Sequence, residues 1–220
     1  MLSLHVRPAL GRVLTPIGAA LGRAGVTADA ITIGGTVGVT GAALYFYPRG
    51  RLLAGTLVIT VFVLGDMLDG AVARARGSSG RWGAFLDSTL DRISDAAIFG
   101  GLLLWFAGRG ENSVLAGVTL FCLISGMVVS YAKARAEGLG LGCDVGIAER
   151  TERLIVVLVA TGLAGLGVPY AQAVGLWLLA GLTAVTVGQR FAEVRRHIED
   201  AGRRFRDTPE LRGSASEHDA

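Results

Sequence analysis

Apolar residues along the chain fall into long runs rather than the short alternations expected of half-buried strands. The runs predict helices at about 30–47, 52–74, 84–107, 113–135, 153–168 and 171–191. Leu52 to Gly65, Ser113 to Ala132 and Leu154 to Val187 carry no charge, and Pro169 and Tyr170 divide the last of these in two. An apolar helix of about 20 residues crosses a bilayer core of about 30 Å. One such run could be a buried core helix. Six in a chain of 220 residues leave too little polar chain to cover them. The pattern therefore predicts an all-α integral membrane protein with six transmembrane helices.

Ahead of the first run the pattern changes. Residues 2–24 lack the continuous apolar stretch of a cleavable signal peptide. Leu10, Val13, Leu14, Ile17 and Leu21 recur at helical spacing between Arg7, Arg12 and Arg23. This predicts an amphipathic interfacial helix over 1–28, bent at Pro16; an irregular surface arm is the alternative. The transmembrane domain then spans 29–195. A polar tail follows over 196–220, with its small-residue stretch Gly213 to Ser216 near the end.

Composition sharpens this picture. Charged residues are 18% of the chain, against about 25% in soluble domains. That scarcity argues against a nucleic-acid binder despite a pI near 9.2. Six spans place both termini on one side, and that side carries 18 of the 21 Lys and Arg residues. Only Arg49, Arg51 and Arg109 lie opposite. The positive-inside rule then puts both termini in the cytoplasm of a cell-membrane protein. Cys122 and Cys143 are too few for a disulfide scaffold or a Cys-built zinc site, and neither a disulfide nor a catalytic thiol is expected.

Four acids interrupt the second and third runs. Asp66 and Asp69 are three residues apart and Asp87 and Asp91 four, so each pair shares a helix face. Ionisable groups at membrane depth are costly and usually functional. Converging carboxylates repel one another, and a helix C-terminus disfavours Asp66 and Asp69 further. Cations must offset this. Oxygen-only donors select Mg²⁺, Mn²⁺ or Ca²⁺ over zinc. Four carboxylates suit two divalent ions, the arrangement that clamps the attacking and leaving oxygens of a phosphoryl displacement. Neutralisation by Arg74, Arg81 and Arg92 is the plain structural alternative.

The stretch Asp66-x2-Asp69-Gly70-x2-Ala73-Arg74-x8-Gly83-x3-Asp87-x3-Asp91 resembles the signature of the CDP-alcohol phosphotransferases, with all eight fixed positions filled across 26 residues. The resemblance implies transfer from CDP-diacylglycerol or a CDP-alcohol to an alcohol acceptor, with release of CMP. It implies two Mg²⁺ or Mn²⁺ ions per site, held by Asp66, Asp69 and Asp87, with Asp91 beside them as general base. It also implies a homodimer. Gly70 and Gly83 would let a nucleotide approach the backbone. Arg74 would reach a phosphate, or else snorkel to lipid headgroups. The segment Val26 to Gly34 resembles the family's entry into its first membrane helix, where Asp29 and Thr32 would face the cytidine. Thr27 as a helix cap, with Asp29 favoured by the helix N-terminus, is the alternative. Ala28 stands where the family often has Pro.

The acceptor is read from the later helices. Ser130, Lys133, Arg135 and Glu137 close the fourth run, and Glu149, Arg150, Glu152 and Arg153 open the fifth. Lys133 is the chain's only lysine. Several cations around one cavity suit an acceptor that carries a phosphate, although a cationic fringe on anionic lipid would look similar. These pieces resemble one branch of the family, the bacterial phosphatidylinositol phosphate synthases. That resemblance implies CDP-diacylglycerol and inositol 1-phosphate as substrates. It assigns Ser130, Lys133, Arg135, Arg153 and Arg190 to the acceptor phosphate. The branch commonly has Pro at the place of Thr151 and a hydroxyl residue near that of Gly80. A phosphatidylglycerophosphate synthase using glycerol 3-phosphate shares the aspartate signature. An intramembrane prenyltransferase would separate its acidic clusters further. A cation transporter would favour acids nearer the bilayer midplane.

Overall fold

The computed structural model describes residues 27–76 and 80–207, and the side chains of all of these except 66–76, 201, 202 and 204–207. Among them every regular element is helical. Six helices follow one another: α1 (Ala28–Phe46), α2 (Leu52–Arg76), α3 (Arg81–Ala107), α4 (Ser113–Gly138), α5 (Arg150–Gly165) and α6 (Ala171–Asp207), with a 3-10 turn over Tyr47–Arg49 between α1 and α2. They coincide with the six apolar runs. The expected N-terminal amphipathic helix, the Gly77–Ser79 linker and the last residues of the tail lie outside the described residues.

Local chemistry sets the helix ends. Thr27 Oγ1 accepts the Ala30 N–H at 3.2 Å, and Asn112 Oδ1 accepts the Leu115 N–H at 3.0 Å. Each satisfies a backbone donor that the first helical turn leaves unpaired. Thr27 is thus the cap that the sequence allowed. Helix α6 runs on well past residue 191, where the apolar pattern ends. Arg195 pairs with Glu199, and Arg196 and His197 with Glu193, at helical spacing along this extension. Residues 196–207 of the predicted polar tail are therefore helical.

The helices close into a ring in the order α1, α2, α5, α6, α4, α3 and back to α1. Tyr47, Ile59, Ile98, Phe99, Leu102, Leu176 and Leu179 fill its interior. At Gly101 a Cβ would lie 2.6 Å from the Ala43 carbonyl oxygen, so only glycine permits α1 and α3 to approach this closely. Several buried hydroxyls find partners on their own helix or its neighbour, while Thr40 Oγ1 and Gln172 Nε2 have none among the described residues. Thr119 and Thr183 donate to carbonyls four residues back, and Ser125 donates to Thr183 across α4 and α6 at 2.9 Å.

The outside of the ring is apolar. Val61, Val114, Val159, Val174 and Trp177 are each more than half exposed, a surface suited to lipid rather than water. By length and composition three helices can cross a membrane: Ala28–Arg49, Ser113–Gly138 and Ala171–Asp200. The apolar part of α2 is shorter, Leu52–Gly65, and α5 has only 16 residues.

Candidate active site

The aspartate signature occupies α2 and α3. Helix α1 packs against both, so the two aspartate-bearing helices flank the helix that carries Asp29 and Thr32. Asp66, Asp69, Gly70 and Arg74 fall in the last turns of α2, and their side chains lie outside the described residues. Asp87 and Asp91 lie one turn apart in the first half of α3, both partly exposed. Space is open at Gly83: a Cβ there would meet nothing within 4 Å. Trp82 Nε1 donates to Asp29 Oδ2 at 3.1 Å and ties the start of α1 to the start of α3. Thr32 is buried and its hydroxyl donates to the Ala28 carbonyl at 3.1 Å. Asp29 is thereby held by the side chain of Trp82, the residue before Gly83 in the chain.

The expected acceptor residues surround a cavity of about 340 Å³ between α3, α4, α5 and α6. Ser130, Lys133, Arg153 and Arg190 line it. Arg135 does not; it is exposed on α4, off the lining. Arg92 and Arg150 join the lining, making five cations against two carboxylates, Glu137 and Glu149. From sequence, Arg92 figures only as a neutraliser of the aspartates and Arg150 only among the cations that open the fifth run. Their proximity to Asp91 and Arg153 along the helices was the available signal.

Each cation is held differently. Arg190 is 3% exposed; Nε donates to the Val145 carbonyl at 3.0 Å, Nη1 donates to the Val129 carbonyl, and Nη2 stands 3.9 Å from Glu149. It therefore pins the segment between α4 and α5 while facing the cavity. Thr186, one turn earlier on α6, accepts the Ala148 N–H at 3.0 Å and pins the same segment. Lys133 donates to Asp144 and lies 3.7 Å from Glu137. The ammonium beside Asp144 holds that carboxyl below its ordinary value. Ser130 donates to the Gly126 carbonyl at 3.1 Å.

Arg153 is 2% exposed and rests on α4 at Gly126, where a Cβ would lie 3.2 Å from its Nε. Gly126, without a side chain, makes room for the guanidinium. Arg150 extends towards the signature: its Nη1 lies 2.8 Å from Asp91 Oδ1. The cationic cavity and the aspartate cluster are therefore adjacent, joined at Asp91.

The donor set suits a hard divalent cation. Asp87 and Asp91 offer carboxylate oxygens from one face of α3, and Asp66 and Asp69 share a face of α2 by spacing.

A model of the CDP-alcohol phosphatidyltransferase family matches residues 25–187. The chain is 53% identical over 208 residues to a phosphatidylinositol phosphate synthase of Streptomyces avermitilis, covering 91% of this chain and 85% of that protein. It is 48% identical to the Mycobacterium marinum protein of the same name, covering 86% and 82%. Two crystal structures of the Mycobacterium tuberculosis phosphatidylinositol phosphate synthase, each 48% identical, superpose closely. The one with CDP-DAG bound gives a TM-score of 0.81 over 83% of this chain and 94% of that one. The one with manganese and citrate gives 0.80 over 82% and 88%.

Proposed function

The chain belongs to the CDP-alcohol phosphatidyltransferase family, and from that membership we infer that it transfers the phosphatidyl group of CDP-diacylglycerol to inositol 1-phosphate, yielding phosphatidylinositol phosphate and CMP. It is a transferase of phospholipid biosynthesis, set in a membrane and dependent on Mg²⁺ or Mn²⁺. The observation that carries the acceptor is the five-cation cavity beside Asp91. A neutral alcohol would leave those charges without a partner, whereas a sugar phosphate supplies one.

The roles follow from position. Asp66, Asp69 and Asp87, with Asp91 beside them, would hold two divalent ions, which would neutralise charge on the donor's pyrophosphate. Arg74 meets the same pyrophosphate with a planar, permanent charge. Asp29 and Thr32 line the cytidine side, and Gly70 and Gly83 let it approach. Lys133, Arg153, Arg190 and Ser130 take the acceptor's phosphate and fix its hydroxyl toward the donor. Arg135, which the resemblance also assigns to that phosphate, is exposed on α4 off this lining. Asp91 removes the hydroxyl proton as the oxygen attacks phosphorus and CMP leaves. Arg150, already hydrogen-bonded to Asp91, orients that carboxylate.

The remaining parts of this reading are topological. All six helices cross or enter the bilayer, the site and both termini face the cytoplasm of the cell membrane, residues 1–28 lie in the interface, and the protein is a homodimer. The Lys and Arg distribution supports the orientation. A CMP-release assay on purified protein with CDP-diacylglycerol tests the acceptor. Inositol 1-phosphate is expected to support turnover, with glycerol 3-phosphate, serine and free inositol far behind. Preference for glycerol 3-phosphate would move the chain to the phosphatidylglycerophosphate branch.

A further inference from the structure

The aspartate stripe on α3 does not end at Asp91. Asp95 continues it one turn on, and its environment reverses. Asp95 is 6% exposed, and its two oxygens are divided between two arginines of α5. Oδ2 accepts Arg153 Nη2 at 2.9 Å, and Oδ1 accepts Arg150 Nε at 3.3 Å. Arg150 in turn reaches Asp91 at 2.8 Å. Asp95 itself is not on the cavity lining, while both arginines are.

We propose that Asp95 is the positioning residue that aims Arg153 and Arg150 into the acceptor cavity, acting on the acceptor only through them. Two physical facts lead there. An arginine fork has a fixed plane, so a carboxylate behind it dictates where its remaining N–H groups point. Arg153 is also too deeply buried to stand uncompensated, and the 3.5 Å contact of Nη1 with the Ala148 carbonyl is long. The only carboxylate against Arg153 among the described residues is Asp95. Asp95 and Asp91 together offset the two guanidinium groups, so what Asp95 supplies is direction, not excess charge. Through Arg150 the same carboxylate links the acceptor site to Asp91.

This inference rests on the cavity being the acceptor site, and the experiment separates the two. Initial rates are measured with each substrate varied in turn. Arg153→Ala and Lys133→Ala test the cavity itself: both raise KM for inositol 1-phosphate if it holds the acceptor. Asp95→Asn keeps the shape and removes the charge. It is expected to raise KM for inositol 1-phosphate about tenfold or more, with KM for CDP-diacylglycerol within about twofold. Asp95→Glu, which restores the charge at a displaced position, should give a smaller rise of the same kind; it carries the test if the Asn variant does not fold. Adding Asp95→Asn to Arg153→Ala should cost clearly less than the sum of the two single effects, because the share of Asp95 that acts through Arg153 is already lost and only its hold on Arg150 remains. If the cavity variants behave as expected but the Asp95 variants leave the acceptor constant unchanged, or weaken both substrates equally, the positioning role is overturned. Full additivity in the double variant overturns it too. If the cavity variants themselves leave KM for inositol 1-phosphate unchanged, the acceptor reading fails first.

Discussion

Asp91 and Asp95 lie one turn apart on α3, yet they live in opposite surroundings. Asp91 is partly open and takes one strong contact from Arg150, at 2.8 Å. Asp95 is buried and shared by Arg150 and Arg153. The first carboxylate stands where ions and substrate can reach it; the second is consumed in holding arginines. The same residue type on the same helix face thus stands partly open at one level and buried between arginines at the next. What differs is burial and the second arginine: α5 supplies Arg150 to both carboxylates and Arg153 to Asp95 alone. At Asp87 and Asp91 the family signature calls for mobile divalent ions. At Asp95 the protein supplies fixed guanidinium groups, whose planes can aim further hydrogen bonds.

The comparison predicts its largest effect on the open side. Chelation should abolish CMP release, and added Mg²⁺ or Mn²⁺ should restore it. Asp66→Asn, Asp69→Asn and Asp87→Asn should each remove nearly all activity from a protein that still folds in detergent. Full turnover in a metal-free assay would remove the distinction between the two carboxylates.

Asp91→Asn comes next. Loss of a general base costs roughly a hundredfold to ten-thousandfold in turnover, while CDP-diacylglycerol binding should be largely spared. The check is kcat against donor affinity measured on the same preparation. Normal turnover would return Asp91 to the class of Asp95, a carboxylate whose work is to hold an arginine.

On the cationic side the effects are smaller and confined to one substrate. A charge-assisted hydrogen bond is worth roughly 1.5–3 kcal/mol, or about 10- to 150-fold in binding. Arg153→Ala should sit high in that interval, since its guanidinium is 2% exposed. Lys133→Ala should sit low, since its side chain is 36% exposed and its charge is partly screened. Both should raise KM for inositol 1-phosphate and leave that for CDP-diacylglycerol nearly unchanged. Arg109→Ala, exposed in the turn between α3 and α4, should alter neither. Equal weakening of both substrates would mean that the cavity does not discriminate donor from acceptor.

The two sides also differ in how much of them could be read from the chain. The aspartate signature lies within 26 residues on two consecutive helices, so helical spacing alone groups its members. The six helices were legible for the same reason: each apolar run is a local property. The cavity is not local. Ser88, Lys133, Arg150 and Arg190 come from four helices, and only the closing of the ring brings them together. Resemblance named Ser130, Lys133, Arg153 and Arg190, which line the cavity, together with Arg135, which is exposed on α4 off that lining. Asp95 escaped because a single acid in an apolar run has no partner in sequence; Arg150 and Arg153 are more than fifty residues away. Its position four residues after Asp91 was the one local hint. The ring order itself, which sets α1 between α2 and α3, left no mark in the apolar pattern.

The smallest expected effect concerns Asp144, the carboxylate that holds Lys133 beside the cavity. Lys133 donates to it, and this interaction lowers the Asp144 pKa from its ordinary value. A carboxyl with a lowered folded-state pKa stabilises the fold above its unfolded-state value, and loses that contribution as the pH falls through the folded one. The pair is therefore fully formed at neutral pH and opens only on acidification below the usual carboxylate range. Asp144 is solvent-exposed, so its contribution to stability is small. The consequence for function has the opposite sign. Asp144 and the acceptor's phosphate compete for one ammonium, so Asp144→Asn should lower KM for inositol 1-phosphate, by about twofold on the scale of exposed ion pairs. It should also lower the melting temperature slightly at neutral pH, with the difference from the natural chain shrinking as the solution is acidified. Thermal melts across a pH series, paired with KM for inositol 1-phosphate at neutral pH, check both signs. A raised KM would mean that Asp144 presents Lys133 to the acceptor rather than competing for it, making the exposed carboxylate on the loop a counterpart of the buried one on α3.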